Sequence, residues 1–212
     1  MAQSPEVPPV IFADNKLIVF EKPTSLLSVP GIGPEKADCL VARAQADFPG
    51  ARIVHRLDRD TSGLIVLARD ADTHRELSRQ FQDREVEKTY EAIAGGILAI
   101  DEGMIDAAIR KDMDNPPRQM IDDVQGRPSK TRWMVMERGD DCTRIQLFPL
   151  TGRSHQLRLH LQSIGHPILG DDLYAPDEMR ARVDRLMLHA TILEFTHPSS
   201  GKRLIFESPA PF

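Results

Sequence analysis

Apolar and polar residues follow one another along the chain with periods that predict many short strands and a few helices. Short apolar runs bounded by Gly, Pro, Asn and Asp are typical of strands, and they occur at residues 10–12, 17–20, 63–68, 86–93, 104–109, 131–136, 143–150, 188–195 and 202–206. Apolar residues three or four apart predict helices at 38–48, 71–84 and 176–187. Because the helices do not alternate strictly with the strands, the pattern predicts an α+β fold with a mixed, mostly antiparallel central sheet flanked by helices and loops.

Two segments have less regular patterns. The leucines between Leu157 and Ile164 fit a helix that Thr151 would cap and Gly165 would end, and their alternation also fits a strand. Residues 111–130 are polar and rich in proline, which predicts a long loop with a functional or mobile role.

Length and composition predict one soluble globular domain. The chain has 212 residues, 41% of them hydrophobic and 28% charged, which is enough to bury a core. Residues 1–9 contain three prolines and predict a loose N-terminal arm, and no break in composition divides residues 10–212. No apolar run is long enough to cross a bilayer. We therefore expect a cytoplasmic protein without a membrane partner, and the two cysteines fit a reducing compartment.

The distribution of charge along the chain is more informative about a ligand than the net charge. The net charge of −5 argues against a nucleic-acid partner when it is averaged over the chain. Residues 142–170, however, contain three arginines, three histidines and no Asp or Glu. A stretch of this kind in an acidic protein predicts a local positive field and an anionic ligand.

The densest polar segment is His55–Gly63, which lies between two apolar runs. A loop flanked by strands is a common place for catalytic groups, although the same residues would also suit a solvated turn. Asp58, Asp60 and Ser62 match the opening of a calcium-binding EF-hand loop, but Arg69 occupies the position of its closing glutamate. Calcium therefore remains a minor alternative.

Histidines and a tyrosine supply further candidate groups. His155, His160 and His166 suggest zinc, but a spacing of five residues puts the first two on different faces of a helix, which favours ordinary hydrogen-bonded histidines. Tyr90 lies in a predicted strand, where it would be a packing residue or, beside a ligand that contains a base, a stacking platform.

Taken together, these motifs resemble those of a known family. His55-Arg56-Leu57-Asp58, followed by Thr61-Ser62-Gly63-Leu64, resembles the catalytic motif of the RluA-type pseudouridine synthases. Other segments are similar to further motifs of that family and occur in the same order: Glu21-Lys22-Pro23 with Leu26 to Gly31, Lys88-Thr89-Tyr90, Gly152 to Arg158, Gly165 to Asp171 and Leu188-His189-Ala190. The resemblance implies the pseudouridine synthase fold for residues 10–212. It also implies no S4-type RNA-binding module, because only about ten residues precede the first motif.

The resemblance implies an isomerase that turns uridine into pseudouridine in RNA, without a metal or another cofactor. The base is detached from ribose C1′, rotates and rejoins through C5. The expected partner is RNA and not DNA, and the expected state is a monomer. The short form of the early motif is most similar to the dual-specificity members, which act on a 23S rRNA hairpin loop and on a tRNA anticodon stem-loop. The alternatives are a single rRNA or tRNA target and an RNA-binding or RNA-remodelling protein whose catalysis is incidental.

The resemblance also assigns roles to five residues. Asp58 is the essential carboxylate, acting either as a nucleophile or as a base at the ribose. An ionised carboxylate in a dry site needs a cationic partner, and Arg158 has the matching motif position. Tyr90 stacks on the flipped uracil, Arg56 fills the space that the base leaves, and Leu188 forms an apolar wall.

Overall fold

The computed structural model of the protein describes residues 6–212, which contain twelve strands and four α-helices. The strands are β1 (Val10–Ala13), β2 (Leu17–Lys22), β3 (Arg52–Ile53), β4 (Ser62–Ala68), β5 (Glu87–Gly95), β6 (Glu102–Asp106), β7 (Ile109–Lys111), β8 (Gln119–Ile121), β9 (Lys130–Arg138), β10 (Cys142–Pro149), β11 (Leu188–Thr196) and β12 (Arg203–Glu207). The helices are α1 (Leu40–Asp47), α2 (Ala71–Gln82), α3 (Gln156–Ser163) and α4 (Asp177–Arg180), and Pro34–Lys36 forms a short 3₁₀-helix. No helix within residues 6–212 has the length and apolar character needed to span a membrane.

The chain divides into two compact units. Unit 1 contains the described residues up to Lys88 together with Ala190–Ala210, and unit 2 contains Thr89–His189 with Pro211–Phe212. The chain therefore passes between the units within β5, within β11 and again between Ala210 and Pro211. The single catalytic domain expected for residues 10–212 stays a prediction.

The predicted N-terminal arm is only partly covered by the structure. Residues 1–5 of the arm lie outside the described residues. In the remainder, the Glu6 carbonyl oxygen accepts a hydrogen bond from Arg43 Nη1 (2.9 Å), and the Pro9 carbonyl oxygen accepts one from the Glu21 N–H (2.9 Å). These bonds attach residues 6–9 to unit 1.

Unit 1 is built on two strands whose apolar residues are all buried. Every residue of β4 is buried, and so are the first four residues of β2, because both strands are covered on their two faces. The strand order is β1-β2-β4-β11, with β12 on β11 and β3 at the end of β4. The antiparallel register of β2 and β4 places Lys22 opposite Gly63. Lys22 consequently lies beside the point where the polar segment His55–Gly63 enters the sheet.

Unit 2 contains a second antiparallel set of strands in the order β5-β10-β9-β6, with β7 and β8 forming a separate hairpin. One face of β10 is buried through Thr143, Ile145 and Leu147, whereas the alternate residues of that strand are half-buried. Leu157 and Leu161 of α3 pack onto this face and complete the core of unit 2. The predicted α+β class with a mostly antiparallel sheet is confirmed.

Two predicted helices differ from the observed ones. The helix at 176–187 is wrong beyond Arg180, because the Met187 N–H donates to the Leu169 carbonyl oxygen (3.0 Å) and the Arg185 carbonyl passes against Gly170. These contacts require an extended chain where the sequence pattern predicted another helical turn. The segment at α3, whose pattern fits a helix as well as a strand, forms a helix and differs from the prediction in where the helix begins.

The start of α3 is also different from the prediction. Thr151 was expected to cap this helix, which instead begins at Gln156. The Thr151 hydroxyl donates to Gln156 Oε1 (2.7 Å) and accepts from the Lys130 N–H (2.9 Å), so it joins the loop to β9. His155 occupies the capping position in a left-handed conformation, with a φ of 55°. The predicted loop at 111–130 contains most of the β7–β8 hairpin.

Candidate active site

The loop that carries Asp58 connects β3 to β4 in unit 1. Asp58 is half-buried, and its carbonyl oxygen accepts a hydrogen bond from the Thr61 N–H (3.2 Å), which closes a turn just before β4. Gly63 follows with a φ of +108°, and a Cβ at this position would lie 2.3 Å from the Ala190 carbonyl oxygen of β11. Only glycine allows the chain to enter β4 so soon after the turn.

Ser28 holds the peptide groups on the N-terminal side of Asp58. Its Oγ donates to the Leu57 carbonyl oxygen (2.7 Å) and accepts from the Leu57 N–H (3.1 Å). Ser28 is 3% exposed and Leu57 is 6% exposed, so water does not compete freely for these bonds. The residue that precedes Asp58 is therefore fixed through both of its backbone polar groups.

Lys22 and Thr24 hold the C-terminal side of the same loop. Lys22 is fully buried, and its Nζ donates to the Arg59 carbonyl oxygen (2.9 Å) and to two carbonyl oxygens of its own segment. Thr24 Oγ1 donates to the Asp60 carbonyl oxygen (2.9 Å). A buried ammonium is tolerated only when it is well hydrogen-bonded, and here part of that bonding fixes the loop.

His55 attaches the start of the loop to the sheet. Its ring stacks on Phe81 of α2, with centroids 4.4 Å apart, and its Nε2 accepts a hydrogen bond from the Val66 N–H (3.2 Å). Burial lowers the pKa of His55 to about 3, and the positive charge of Lys88 acts in the same direction. The ring is therefore neutral at physiological pH and serves as a packing and hydrogen-bonding group.

The residues around Asp58 leave its carboxylate as the group that the loop presents. Arg59 binds the side chain of Asp60, with Nε 2.9 Å from Oδ1 and Nη2 2.9 Å from Oδ2. In the described part of unit 1, no hydrogen bond or ion pair involves the Asp58 carboxylate. The same is true there of the Arg56 side chain, which is exposed. The role of Arg56 at the vacated base position stays a prediction.

The calcium alternative is not supported by this loop. The Asp60 carboxylate is bound by Arg59, and Ser62 already belongs to β4. Within residues 6–212, no group of three or more His, Cys, Asp or Glu side chains is arranged to hold a metal ion.

Tyr90 and Leu188 both contribute to the core of unit 2. Tyr90 lies opposite Leu147 in the β5–β10 ladder and is half-buried, with its ring against the apolar cluster that includes Leu147. Leu188 is 2% exposed and belongs to the same cluster. This packing accounts for the apolar surface of both side chains. Their roles beside the substrate stay predictions.

Arg158 is held by carboxylates of unit 2. Its Nε donates to Asp171 Oδ2 (2.8 Å) and its Nη2 to Asp171 Oδ1 (2.6 Å), and Nη2 also reaches Asp172 Oδ1 (2.8 Å). Arg158 is 3% exposed and Asp171 is fully buried. The sequence predicted Asp58 as the partner of Arg158. The structure adds Asp171 as the residue that fixes the plane of this guanidinium in a bidentate pair.

Tyr174 connects Arg158 to the β7–β8 hairpin. Its hydroxyl lies 2.8 Å from His155 Nδ1 and accepts a hydrogen bond from the Gln119 N–H (2.8 Å), while its ring lies 5.3 Å from the Arg158 guanidinium carbon. Asp171 Oδ1 in turn accepts from the Tyr174 N–H (2.9 Å). A buried carboxylate thus positions both Arg158 and the tyrosine that binds the hairpin.

His160 and His166, the other two histidines of the possible zinc group, are ordinary hydrogen-bonded residues. His160 Nε2 donates to the Ala107 carbonyl oxygen (3.1 Å), its Nδ1 accepts from Thr131 Oγ1 (2.9 Å), and burial lowers its pKa. His166 Nδ1 donates to the Gly95 carbonyl oxygen (2.8 Å).

The acid-free segment 142–170 is less positive than its sequence indicated. Arg144 pairs with Glu91 and Arg158 pairs with Asp171, both from outside the segment. In the part of the chain that the structure describes, the buried Nε of Arg153 has no hydrogen-bond partner. The positive field of this segment is therefore confined to fewer side chains than the sequence suggested.

Sequence reasoning missed the residues that support this site. Lys22, Ser28 and Asp171 lie inside motifs that the sequence shares with the family, but no role was assigned to them. The available signal was chemical, because a lysine or aspartate inside an apolar run needs a buried partner. Tyr174 lies outside those motifs and had no comparable signal.

Comparison with known proteins identifies relatives over nearly the whole chain. Residues 16–163 match the sequence model of a family described as RNA pseudouridylate synthase. The chain is 48% identical over 204 residues to the dual-specificity RNA pseudouridine synthase RluA of Yersinia pestis, covering 96% of this chain and 99% of the relative. It is 45% identical to the enzyme of the same name from Escherichia coli strain K12, with 96% and 93% covered.

Solved structures give the same result for the fold. Human RNA pseudouridylate synthase domain containing 1 superposes with a TM-score of 0.83 at 30% identity, covering 100% of this chain and 87% of that chain. Human RNA pseudouridylate synthase domain containing 4 superposes with a TM-score of 0.76 at 24% identity, which supports the fold alone.

Proposed function

This chain belongs to the RNA pseudouridylate synthase family and isomerises uridine to pseudouridine in RNA, and on that premise we propose that it is dual-specific, acting on a 23S rRNA hairpin loop and on a tRNA anticodon stem-loop. The relatives named above carry dual specificity in their names and match this chain along almost its entire length. Bases in loops are already partly unstacked, so they are the least costly to turn out of the RNA.

One observation carries the assignment of Asp58 as the essential group. Buried side chains fix the Leu57 backbone before this residue, through Ser28, and the Arg59 carbonyl after it, through Lys22. Such anchoring holds a single carboxylate in place while the glycosidic bond breaks, the uracil rotates, C5 bonds to ribose C1′ and the C5 proton leaves. A group acting as nucleophile or base at the ribose gains most from a position fixed before the substrate arrives.

The remaining site residues bind and orient the substrate. Tyr90 stacks on the flipped uracil, which recovers about 1–3 kcal/mol of the cost of unstacking. Arg56 is exposed and fills the space in the RNA that the base leaves. Arg158 supplies a positive charge whose direction Asp171 fixes, and Leu188 excludes water from the apolar side of the site.

The test of Asp58 uses its neighbour as a matched control. We expect Asp58→Asn to abolish pseudouridine formation in a stem-loop RNA while binding stays within about threefold of the wild-type affinity. Asp60→Asn removes the same charge two residues away, where the carboxylate is used by Arg59, and it should keep most of the activity. Turnover by Asp58→Asn above about a thousandth of the wild-type rate would contradict the role of Asp58.

The substrates are tested in cells. Pseudouridine is mapped in total rRNA and tRNA from cells with and without the protein. Loss of one site in each RNA class supports dual specificity, and loss of a single site indicates one target. If no site is lost and Asp58→Asn still rescues a deletion phenotype, the protein acts by binding or remodelling RNA.

We also propose a cytoplasmic monomer that requires neither metal nor another cofactor. The chemistry involves no net oxidation and no group donor, which makes a cofactor unnecessary. Light scattering during size-exclusion chromatography tests the monomer, cell fractionation tests the location, and full activity after treatment with EDTA tests the independence from metal.

A further inference from the structure

Lys88 is a half-buried cation beside the start of the Asp58 loop. It is the second residue of β5, and its Nζ lies 5.9 Å from the centre of the Phe81 ring. The His55 ring stacks on the same phenylalanine, with centroids 4.4 Å apart. Lys88, Phe81 and His55 therefore form one cluster, and His55 opens the loop that presents Asp58.

No anion neutralises Lys88 within the described part of unit 1. The three acids within three residues of it in sequence are already used, since Glu85 binds Arg79 (2.8 Å), Glu87 binds Arg203 (3.3 Å) and Glu91 binds Arg144. Four other basic residues of unit 1 have carboxylate partners, namely Lys16, Arg43, Arg59 and Arg75. Lys88 differs from these residues because it is partly removed from water and also lacks such a partner.

Partial burial of the Lys88 ammonium costs free energy, and no carboxylate in the described part of unit 1 offsets that cost. Burial lowers the pKa of Lys88, which is the usual effect of desolvation on an ammonium group. Contact with the face of Phe81 offsets part of this cost. His55 adds no repulsion, because its low pKa keeps the ring neutral. A desolvated and unpaired ammonium in such a place is ready to receive an anionic ligand.

We propose that Lys88 binds a phosphate of the substrate RNA next to the target uridine, an inference that rests on the proposed function. In the alternating geometry of β5, Lys88 points to the same face of the strand as Tyr90, two residues further along. Turning a nucleotide out of its stack rotates the backbone, and a fixed charge beside the loop holds the strand in that position. A compact ammonium supported by an aromatic face suits a single phosphate oxygen.

The experiment compares Lys88→Met with Lys88→Arg and with Lys202→Met. Lys202 is exposed in the turn between β11 and β12, so its replacement removes the same charge from the same unit without touching the loop. All three changes are made in the Asp58→Asn background, and binding of a fluorescent stem-loop RNA is measured between about 50 and 200 mM KCl.

We expect Lys88→Met to weaken binding about 10- to 100-fold at low salt, as for other hydrogen bonds to charged groups. It should also reduce the slope of log affinity against log salt by about 0.7–0.9, the value for one phosphate contact. Lys88→Arg should restore the slope and Lys202→Met should leave it unchanged. In the Asp58-containing enzyme, the defect of Lys88→Met should appear mainly in KM and diminish as RNA approaches saturation.

Two results would overturn the proposal. If Lys88→Met lowers the rate at saturating RNA while affinity and salt slope stay at wild-type values, the ammonium acts on the carboxylate chemistry and not on a phosphate. If none of these quantities changes, Lys88 has no part in RNA binding. Because binding is measured without turnover, a failure to form pseudouridine would reject the proposed function and leave the test of Lys88 intact.

Discussion

Replacing Ser28 by alanine should separate the position of the Asp58 loop from its chemistry. The hydroxyl of Ser28 forms two hydrogen bonds with one residue, Leu57, and both residues are buried. Ser28→Ala leaves the N–H and the carbonyl oxygen of Leu57 without partners. Each such buried group costs about 1–3 kcal/mol, so we expect the free energy of unfolding to fall by about 3 kcal/mol in total.

This loss has a measurable size in stability and in rate. For a chain of this length, about 3 kcal/mol lowers Tm by about 6–12 °C. Release of one side of the loop also displaces the Asp58 carboxylate, and a displacement of about 1 Å costs on the order of a hundredfold in rate. We therefore expect the single-turnover rate to fall about 10- to 100-fold at a temperature where the variant is fully folded.

The assay follows the release of tritium from C5 of labelled uridine in a stem-loop RNA at saturating enzyme. Ser129→Ala is the matched control, because Ser129 is also buried but donates only one hydrogen bond, to the Arg127 carbonyl oxygen in unit 2. The control should lose about 1 kcal/mol of stability and keep its rate. A wild-type rate in Ser28→Ala, together with the expected loss of Tm, would refute the idea that Ser28 positions Asp58.

Three further predictions follow from the residues around the site. His55 has a folded pKa of about 3, below its unfolded value, so protonation of the unfolded state should reduce stability as pH falls from about 6.5 toward 3, and His55→Gln should flatten this part of a Tm-against-pH curve. Asp171→Asn leaves the buried Arg158 without its main counter-charge, and urea unfolding should show a loss of about 3–5 kcal/mol; a loss below about 1 kcal/mol would contradict this pairing. Tyr174→Phe removes the acceptor of the Gln119 N–H, so hydrogen exchange at that amide should become at least about tenfold faster while global stability changes little.

Local patterns in the sequence predicted much of this fold. The strand β4 and the helix α2 could be predicted because the signals lie within the segments themselves. These signals are the apolar run in β4 and the helical spacing of apolar residues in α2. The loop that presents Asp58 was also found, because a dense polar segment between two apolar runs is typical of a loop between buried strands. The class of the fold followed from helices that do not alternate strictly with the strands, and the nature of the reaction followed from motifs in a fixed order.

Tertiary contacts were beyond the reach of the sequence pattern. Arg158 was given Asp58 as its partner, and nothing local shows that Asp171, thirteen residues further on, also binds its guanidinium. Thr151 looked like a helix cap because its alternative partner, the Lys130 N–H, lies on a distant strand. The helix predicted beyond Arg180 failed for the same reason, since Met187 forms its hydrogen bond with Leu169. The errors at Thr151 and beyond Arg180 arose where a long-range hydrogen bond outweighed local preference.

The way in which the Asp58 loop is anchored leaves its outer side chains open to change. Ser28, Lys22 and Thr24 bind peptide N–H and carbonyl groups, which every residue except proline possesses in full. Arg59 and Asp60 can therefore be exchanged for residues that suit other RNA loops without moving the carboxylate between the anchors. An engineer who wishes to redirect this enzyme could randomise those two positions and expect the chemical step to survive, because the eight-residue turn from His55 to Ser62 is held through its backbone.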